Sequence, residues 1–408
     1  MDNRIKEAGL TKELLKDRFA KVFGITEDPI QYFFAPGRVN IIGEHQDYNG
    51  GHVFPAALTM GTWGAIRVNR KASSDKRTIR LYSANMNGVP ETETQSYSLA
   101  ETNGEGFNFT YHDEAGWTNY PFGVIDYFEK QGYTIPSLDI YYEGNLPEGA
   151  GLSSSACILD LTVYMLMAVL HISVDRTKLA EIAKDVEYDF VGVKVGIMDQ
   201  FAISHGKKGH GVFLDCTNMT FEHVPVDFGD YQLVIMNTNH QRSLVDSVFN
   251  VRKAECDAAL EDIRKHHELV GLSLGSVADL EFVEDEVNRR RAKHAITENL
   301  RVVEFMKALR TKDMDKIKEI ITASHESLRY DYEVSGPQLD RIVQIARAQE
   351  GCLASRMTGA GFGGCAIAIV EKEKLESFMQ AVCDTYEAAE NVRPDMYMAD
   401  LGDGVCEL

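Results

Sequence analysis

Apolar residues recur at Leu14, Leu15, Phe19 and Val22, between a Thr11 able to cap and a Gly24 able to stop, which is the spacing of an amphipathic helix. The same pattern, with Asp175 as the cap, runs through Leu179, Ile182, Ala183 and Val186. Further helices are predicted after Trp117 and over 251–268, 297–309, 314–328 and 338–349, so the second half of the chain is rich in helix. Runs of β-branched and aromatic residues predict strands at 39–42, 65–69, 78–82, 138–142, 212–214, 232–236 and 366–370. The longest apolar stretch, 156–174, approaches membrane length but carries Asp160, Thr162, Tyr164 and His171, and it reads as a buried core helix. The class is α+β or mixed α/β.

Between Cys216 and Tyr231 the periodicity is lost and Pro225 and Gly229 appear, which predicts a boundary there, with one domain over 1–220 and another over 221–408. A chain of 408 residues suits two domains of roughly 200 residues meeting at a cleft. With 44% hydrophobic and 25% charged residues, the composition is that of a packed globular protein. No fixed-period repeat suggests a solenoid or propeller. The formal net charge of -20 opposes binding to nucleic acid and to anionic membranes. A polyphosphate ligand would therefore need local devices to overcome that field. The seven cysteines show no C-x-x-C or zinc-finger spacing, which predicts free thiols in a reducing compartment. The opening MDNRIKEAGL has no apolar run behind its charges, so no leader is expected, and the protein is expected to be cytoplasmic.

Three glycine-rich segments carry the candidate chemistry. In GNLPEGAGLSSSACI, the residues Gly149, Ala150, Gly151, Leu152, Ser153, Ser154 and Ser155 lead straight into the long apolar helix. Small residues let a ligand approach the backbone, and first-turn amides with the helix dipole favour an anion. The serine hydroxyls can also reach a phosphate-bound Mg²⁺. A plain Gly/Ser loop ending in a helix cap is the other reading. In RMTGAGFGGCAIAIV, Gly359, Gly361 and Gly364 have dinucleotide-motif spacing but open a strand rather than a helix, which argues against a Rossmann fold and leaves a ligand-facing turn or an ordinary hairpin. No Walker motif is present. In APGRVNIIGEHQDYNGGHVF, the density of Arg38, Glu44, His45 and Asp47 suits a ligand rich in hydroxyls, or else a charged turn closed by Asn49, Gly50 and Gly51.

Asp199, set among apolar neighbours in VGIMDQF, is a general base if Arg38 keeps it ionised, or half of a buried salt bridge. Glu187 lies twelve residues earlier on an amphipathic helix. His205 and His210 lack metal-ligand spacing and read as loop residues.

In chain order, the three segments resemble the three motifs of the galacto-homoserine-mevalonate-phosphomevalonate kinase superfamily. GRVNIIGEHQDYNGG resembles the galactokinase signature almost residue for residue. The resemblance implies a two-domain α+β kinase, with a mixed-sheet N-terminal domain, a ferredoxin-like C-terminal domain and the active site between them. It implies ATP as co-substrate, bound at Gly149 to Ser155 with Trp117 and Tyr120 on the adenine side and Gly359 and Gly361 nearby. Mg²⁺ would sit on Ser154, Ser155 and Glu187. The sugar would meet Glu44, His45, Asp47, Gly196 and Phe249, and Arg38 and Asp199 would be the catalytic pair. The implied reaction is phosphorylation of galactose at O1, by a monomer or weak homo-oligomer. An N-acetylgalactosamine kinase is the alternative, because Phe249 stands where galactokinases usually carry Tyr. A non-catalytic sugar sensor is the remote one, since Gly151 to Ala156 is complete. Gln46, usually Thr, and Val195, often Cys, are the other departures from the pattern.

Overall fold

The computed structural model of the protein describes residues 10–70, 76–90, 98–102, 106–147, 149–240 and 245–408, with side chains at 245–247 left aside. The first nine residues, read above for a leader, and Glu148 of the glycine-serine segment lie outside them.

Chain order gives two main sheets. The first has six strands in the order Cys406–Glu407, Ile30–Asn40, Pro55–Val68, Leu138–Gly144, Thr78–Ser83 and Ser98–Glu101. It is antiparallel except where Thr78–Ser83 runs parallel to Leu138–Gly144, so it is a mixed sheet. The long apolar stretch forms the helix Ser154–Val169, which ends short of the predicted run, leaving 170–174 outside it, and packs on the two longest strands. Its burial is the reason an apolar run of that length belongs in a core.

In the second sheet the order is Cys352–Met357, Cys365–Glu371, Tyr231–Asn237 and Asp395–Met398, antiparallel throughout. In chain order this is strand, helices, strand, strand, helix, strand, with the first and third strands central. That is the ferredoxin-like arrangement. The helices Val245–Arg264, Glu286–Thr311, Met314–Ser327 and Gly336–Arg347 are inserted between its first two strands and supply the helix-rich second half. A three-stranded sheet of His52–Val53, His210–Asp215 and Thr220–Pro225 completes the fold. Its last strand starts at the expected boundary and folds back on His210–Asp215, while Cys406–Glu407 returns to pair with Phe33 and Phe34 of the first sheet.

Several local expectations need correction. Leu14 is 37% exposed, and the buried face of Lys12–Phe23 is Leu15, Phe19, Val22 and Phe23. Strand Ile30–Asn40 begins nine residues before the predicted start, because its Pro36 and Gly37 read as breakers yet sit at a bulge where the register shifts. Thr220–Pro225 lies in the stretch read as aperiodic; it is exposed along most of its length and carries no apolar alternation to announce it. His205 is not a loop residue: it closes the helix Met198–His205, buried, its ring stacked on Phe201 at 3.8 Å. All seven cysteines are free thiols.

Candidate active site

The three glycine-rich segments meet in space. Arg38 leaves the long strand just after the bulge, and its backbone N–H donates to Leu152 O at 3.1 Å. Its guanidinium grips Asp199 with two hydrogen bonds, Nε to Oδ1 at 2.6 Å and Nη2 to Oδ2 at 2.7 Å. The third nitrogen, Nη1, donates to Gly151 O at 2.8 Å. One arginine thus ties the sugar-signature strand to both the glycine-serine loop and the Asp199 helix. Such a planar fork is the geometry that matches a carboxylate.

Glycine is required where these segments touch. Gly149 and Gly151 have φ of 67° and 73°, and a Cβ at Gly359 would come within 3.0 Å of Gly151 O. The C-terminal glycine turn therefore closes directly over the glycine-serine loop, and it joins two strands with no helix behind it, as expected. Ser154 and Ser155 open the apolar helix, Ser154 exposed and Ser155 half-buried. The N–H groups of that first turn have no carbonyl partner within the helix, which leaves a set of donors facing anything that docks there. Ala150 and Leu152 are buried.

Glu44 and His45 turn inward. Glu44 is fully buried, with Oε2 accepting from Arg356 and Oε1 from Gly359 N–H at 3.2 Å. Burial pushes its carboxyl up to about 7 against the pull of Arg356. His45, at φ 61°, bonds through Nδ1 to Tyr48 Oη at 2.8 Å, and Tyr48 Oη to Tyr332 Oη at 2.7 Å. Burial holds its imidazole down to about 3, so it is neutral at physiological pH. Phe249 packs against this pair, 5.7 Å from the His45 ring and 5.2 Å from Tyr48. Asp47 accepts from Met198 N–H at 3.2 Å; burial, then the charge of Asp199, raises its carboxyl to about 6. A Cβ at Gly196 would lie 2.2 Å from Asp47 Cγ, so that position has to be glycine. Asp47 and Gly196 line a cavity of about 430 Å³ with Tyr48, Tyr188, Lys184 and Lys253.

Glu187 is buried on the irregular turn Val186–Val191 and accepts from Gln200 Nε2 at 2.6 Å. Among the described residues no three His, Cys, Asp or Glu side chains converge on a metal site. A hard cation here would draw on Glu187, serine hydroxyls and the ligand's own oxygens, a donor set that suits Mg²⁺. Tyr120 lines a second cavity of about 370 Å³ with Tyr111, Gly116, Val191, Gly192 and Val193. Trp117 is not part of that lining; it packs on the core, edge-on to Tyr142 at 5.8 Å.

Some residues at this seam were not singled out in the sequence. Arg356 donates to Glu44 and, at 2.9 Å, to Ile41 O. Glu298 accepts from Gly43 N–H at 3.2 Å, Ser324 Oγ at 2.7 Å and Arg301 Nε at 2.6 Å. Asp160, noted only as a polar break, is fully buried beside Glu187 and Asp199, and neither of its oxygens has a hydrogen-bond partner among the described residues. Burial, then those two charges, lifts its carboxyl well above the carboxylate range. No periodicity marks Arg356 or Glu298, because what distinguishes them is a partner more than two hundred residues away.

Comparison with known proteins agrees with this geometry. Residues 17–68 match the family model described as the galactokinase galactose-binding signature, 119–207 the GHMP kinases N terminal domain and 305–388 the GHMP kinases C terminal. The chain is 43% identical to the galactokinase of Bacillus subtilis over 97% of its own length and 99% of that protein, and 42% identical to the galactokinase of Streptococcus thermophilus over 96% and 97%. It superposes on the Lactococcus lactis galactokinase solved in complex with galactose with a TM-score of 0.87, at 37% identity, covering 97% of this chain and 99% of that one. Mevalonate kinase from Methanococcus jannaschii shares the fold at a TM-score of 0.62 and 20% identity, covering 91% of this chain and 98% of that one. With full-length relatives above 40% identity and the signature, glycine-serine loop and C-terminal glycine turn assembled at one seam, the chain belongs to the galactokinase family.

Proposed function

We propose that the protein transfers the γ-phosphoryl group of ATP to O1 of galactose, giving galactose 1-phosphate and ADP. The observation that carries this reading is the Arg38–Asp199 clamp, set between the signature strand and the glycine-serine loop. The O1–Pγ bond forms as the bond from Pγ to the β,γ-bridging oxygen breaks, and Asp199 orients the O1 hydroxyl and takes up its proton. Arg38 holds the Asp199 carboxylate with two hydrogen bonds and places positive charge beside the transferring group, where charge neutralisation lowers the barrier. First-turn amides at Ser154 and Ser155 hold phosphate oxygens, and Gly359, whose Cβ would meet Gly151 O, lets the covering turn lie close on the loop, with Gly361 nearby in the same turn. Mg²⁺, held by Glu187 with Ser154 or Ser155, would neutralise the β- and γ-phosphates. Asp47, with Gly196 giving it room, and neutral His45 recognise sugar hydroxyls, while Glu44 acts from beneath the turn. Tyr120, at the second cavity, stands on the adenine side.

We further propose two structural units meeting near residues 220–230, a cytoplasmic location, and a monomer or weak homo-oligomer that binds neither nucleic acid nor membrane. Among the described residues no helix is long and apolar enough to cross a membrane.

A second reading, a kinase for C2-modified galactose, is favoured by one observation: Phe249 presents a ring without a hydroxyl beside His45 and Tyr48. ADP release measured with galactose, galactosamine, N-acetylgalactosamine and glucose decides between them. The highest kcat/KM for galactose supports the first reading; N-acetylgalactosamine in the lead installs the second. Saturable sugar binding without ADP release from any of them leaves the sensor.

A further inference from the structure

Ser153 opens the serine run assigned above to ATP, yet its geometry points elsewhere. It is the cap residue of the helix Ser154–Val169 but adopts the left-handed conformation, φ 63° and ψ 49°, and its side chain makes no capping bond. A serine at that place ordinarily turns its oxygen onto the amides of the first turn. A left-handed backbone is unfavourable for a residue that carries a Cβ, and glycines at 149 and 151 already occupy that region in the same loop. Here the hydroxyl, on a residue only 7% exposed, donates instead to Asp199 Oδ2.

Three donors therefore converge on one carboxylate. Among the described residues Oδ2 receives Arg38 Nη2 and Ser153 Oγ, and Oδ1 receives Arg38 Nε alone. A carboxylate has about two acceptor lobes on each oxygen. Oδ2 is thereby filled and one lobe of Oδ1 stays open. The loop that delivers Ser153 is itself fixed, because Gly151 O accepts from the same guanidinium and Leu152 O from the Arg38 backbone.

We propose that Ser153 is a positioning residue of the acceptor site: by occupying Oδ2 it fixes the rotation of the Asp199 carboxylate and leaves Oδ1 to receive the sugar's O1 hydroxyl. It ligates neither the nucleotide nor the metal, which fall to Ser154, Ser155 and the first-turn amides. The inference rests on the proposed role of Asp199, and it couples the phosphate loop to the acceptor.

The test uses Ser153→Gly, which removes the hydroxyl and accepts the left-handed backbone, and Ser153→Ala, which removes it and keeps Cβ. Both are expected to lower kcat about tenfold or more, the worth of a hydrogen bond to a charged group, and to leave the KM for MgATP within about twofold. Galactose affinity is read by calorimetry in Ser153→Gly, Asp199→Asn and the double variant, where a residue acting through Asp199 shows non-additivity. The double variant should then match Asp199→Asn within about twofold. A raised KM for MgATP with unchanged kcat overturns the proposal and returns Ser153 to the nucleotide. Additive effects in the double variant overturn it too. Near-wild-type turnover in Asp199→Asn alone overturns the role of Asp199 and the proposal with it, a result distinct from the other two.

Discussion

Two charged clusters lie within one seam and are built on opposite principles. Where the phosphate loop meets the acceptor, Arg38 holds Asp199 in a bidentate pair that leaves the Asp199 side chain 28% exposed. Beneath the signature turn, Arg356 and Glu44 pair with side chains only 0% and 1% exposed, beside a fully buried Glu298 whose carboxyl is held down to about 2 once Arg301, His294 and Arg356 outweigh its burial. A half-open pair keeps a lobe for substrate, while a closed one has spent its charge on the protein. On the proposed function the first cluster carries the chemistry and the second is a strut between the N-terminal signature and the C-terminal glycine turn, even though both contain an arginine, a carboxylate and a motif glycine.

Variants that exchange the two behaviours test this contrast. Asp199→Ala should have the largest effect on turnover, a loss of about 10²–10⁴-fold with ATP affinity kept, as for removal of a proton acceptor; Arg38→Ala should also slow the reaction. A folded Asp199→Ala enzyme with near-wild-type turnover would make Asp199 a structural acid and erase the distinction between the clusters.

Arg356→Met should act on stability first. It leaves Glu44 buried without its partner, and breaking such a pair costs about 3–5 kcal/mol. Glu44 already tends to hold a proton, with its carboxyl raised to about 7 by burial, so Glu44→Gln in the same chain should recover part of the loss. Urea unfolding of the single and double variants is the measurement, and an Arg356→Met midpoint equal to wild type would deny the strut.

Glu187→Gln should raise the Mg²⁺ concentration required for activity, since a neutral amide is a poorer ligand for a hard cation. A metal titration superimposable on wild type removes Glu187 from the site. Asp47 gives a pH effect of definite sign. Its carboxyl is raised to about 6 by burial and by Asp199, so it is ionised above that pH and protonated below it. If the ionised form receives sugar hydroxyls, kcat/KM for galactose falls as pH drops through about 6, and Asp47→Asn flattens that limb. The smallest effect is expected from Phe249→Tyr, about threefold to tenfold in discrimination for galactose over galactosamine, the worth of one neutral hydrogen bond. A substrate panel unchanged by the substitution makes Phe249 a wall of the pocket and nothing more.

Much of this was written in the residues. The Thr11 and Asp175 caps, the glycine run at 149–151 and the strand behind Gly359–Gly364 are local features, and local chemistry suffices to place them: a cap bonds amides two or three residues away, and a left-handed turn needs glycine wherever it lies. The motif order also pointed to two domains and a kinase. Pairings across long stretches of chain were not legible. Nothing local says that Arg356 reaches Glu44, that Glu298 holds the Gly43 amide, or that the Ser153 hydroxyl turns from its own helix to Asp199. The same limit hid Thr220–Pro225, whose mostly exposed residues carry no apolar period. Sequence alone determined which segments could cradle phosphate and which residue types could hold a sugar, because backbone freedom and side-chain chemistry belong to each position. Only the tertiary structure decided which acid stays partly open and which is closed, because that depends on how many donors from distant parts of the chain arrive at one carboxylate.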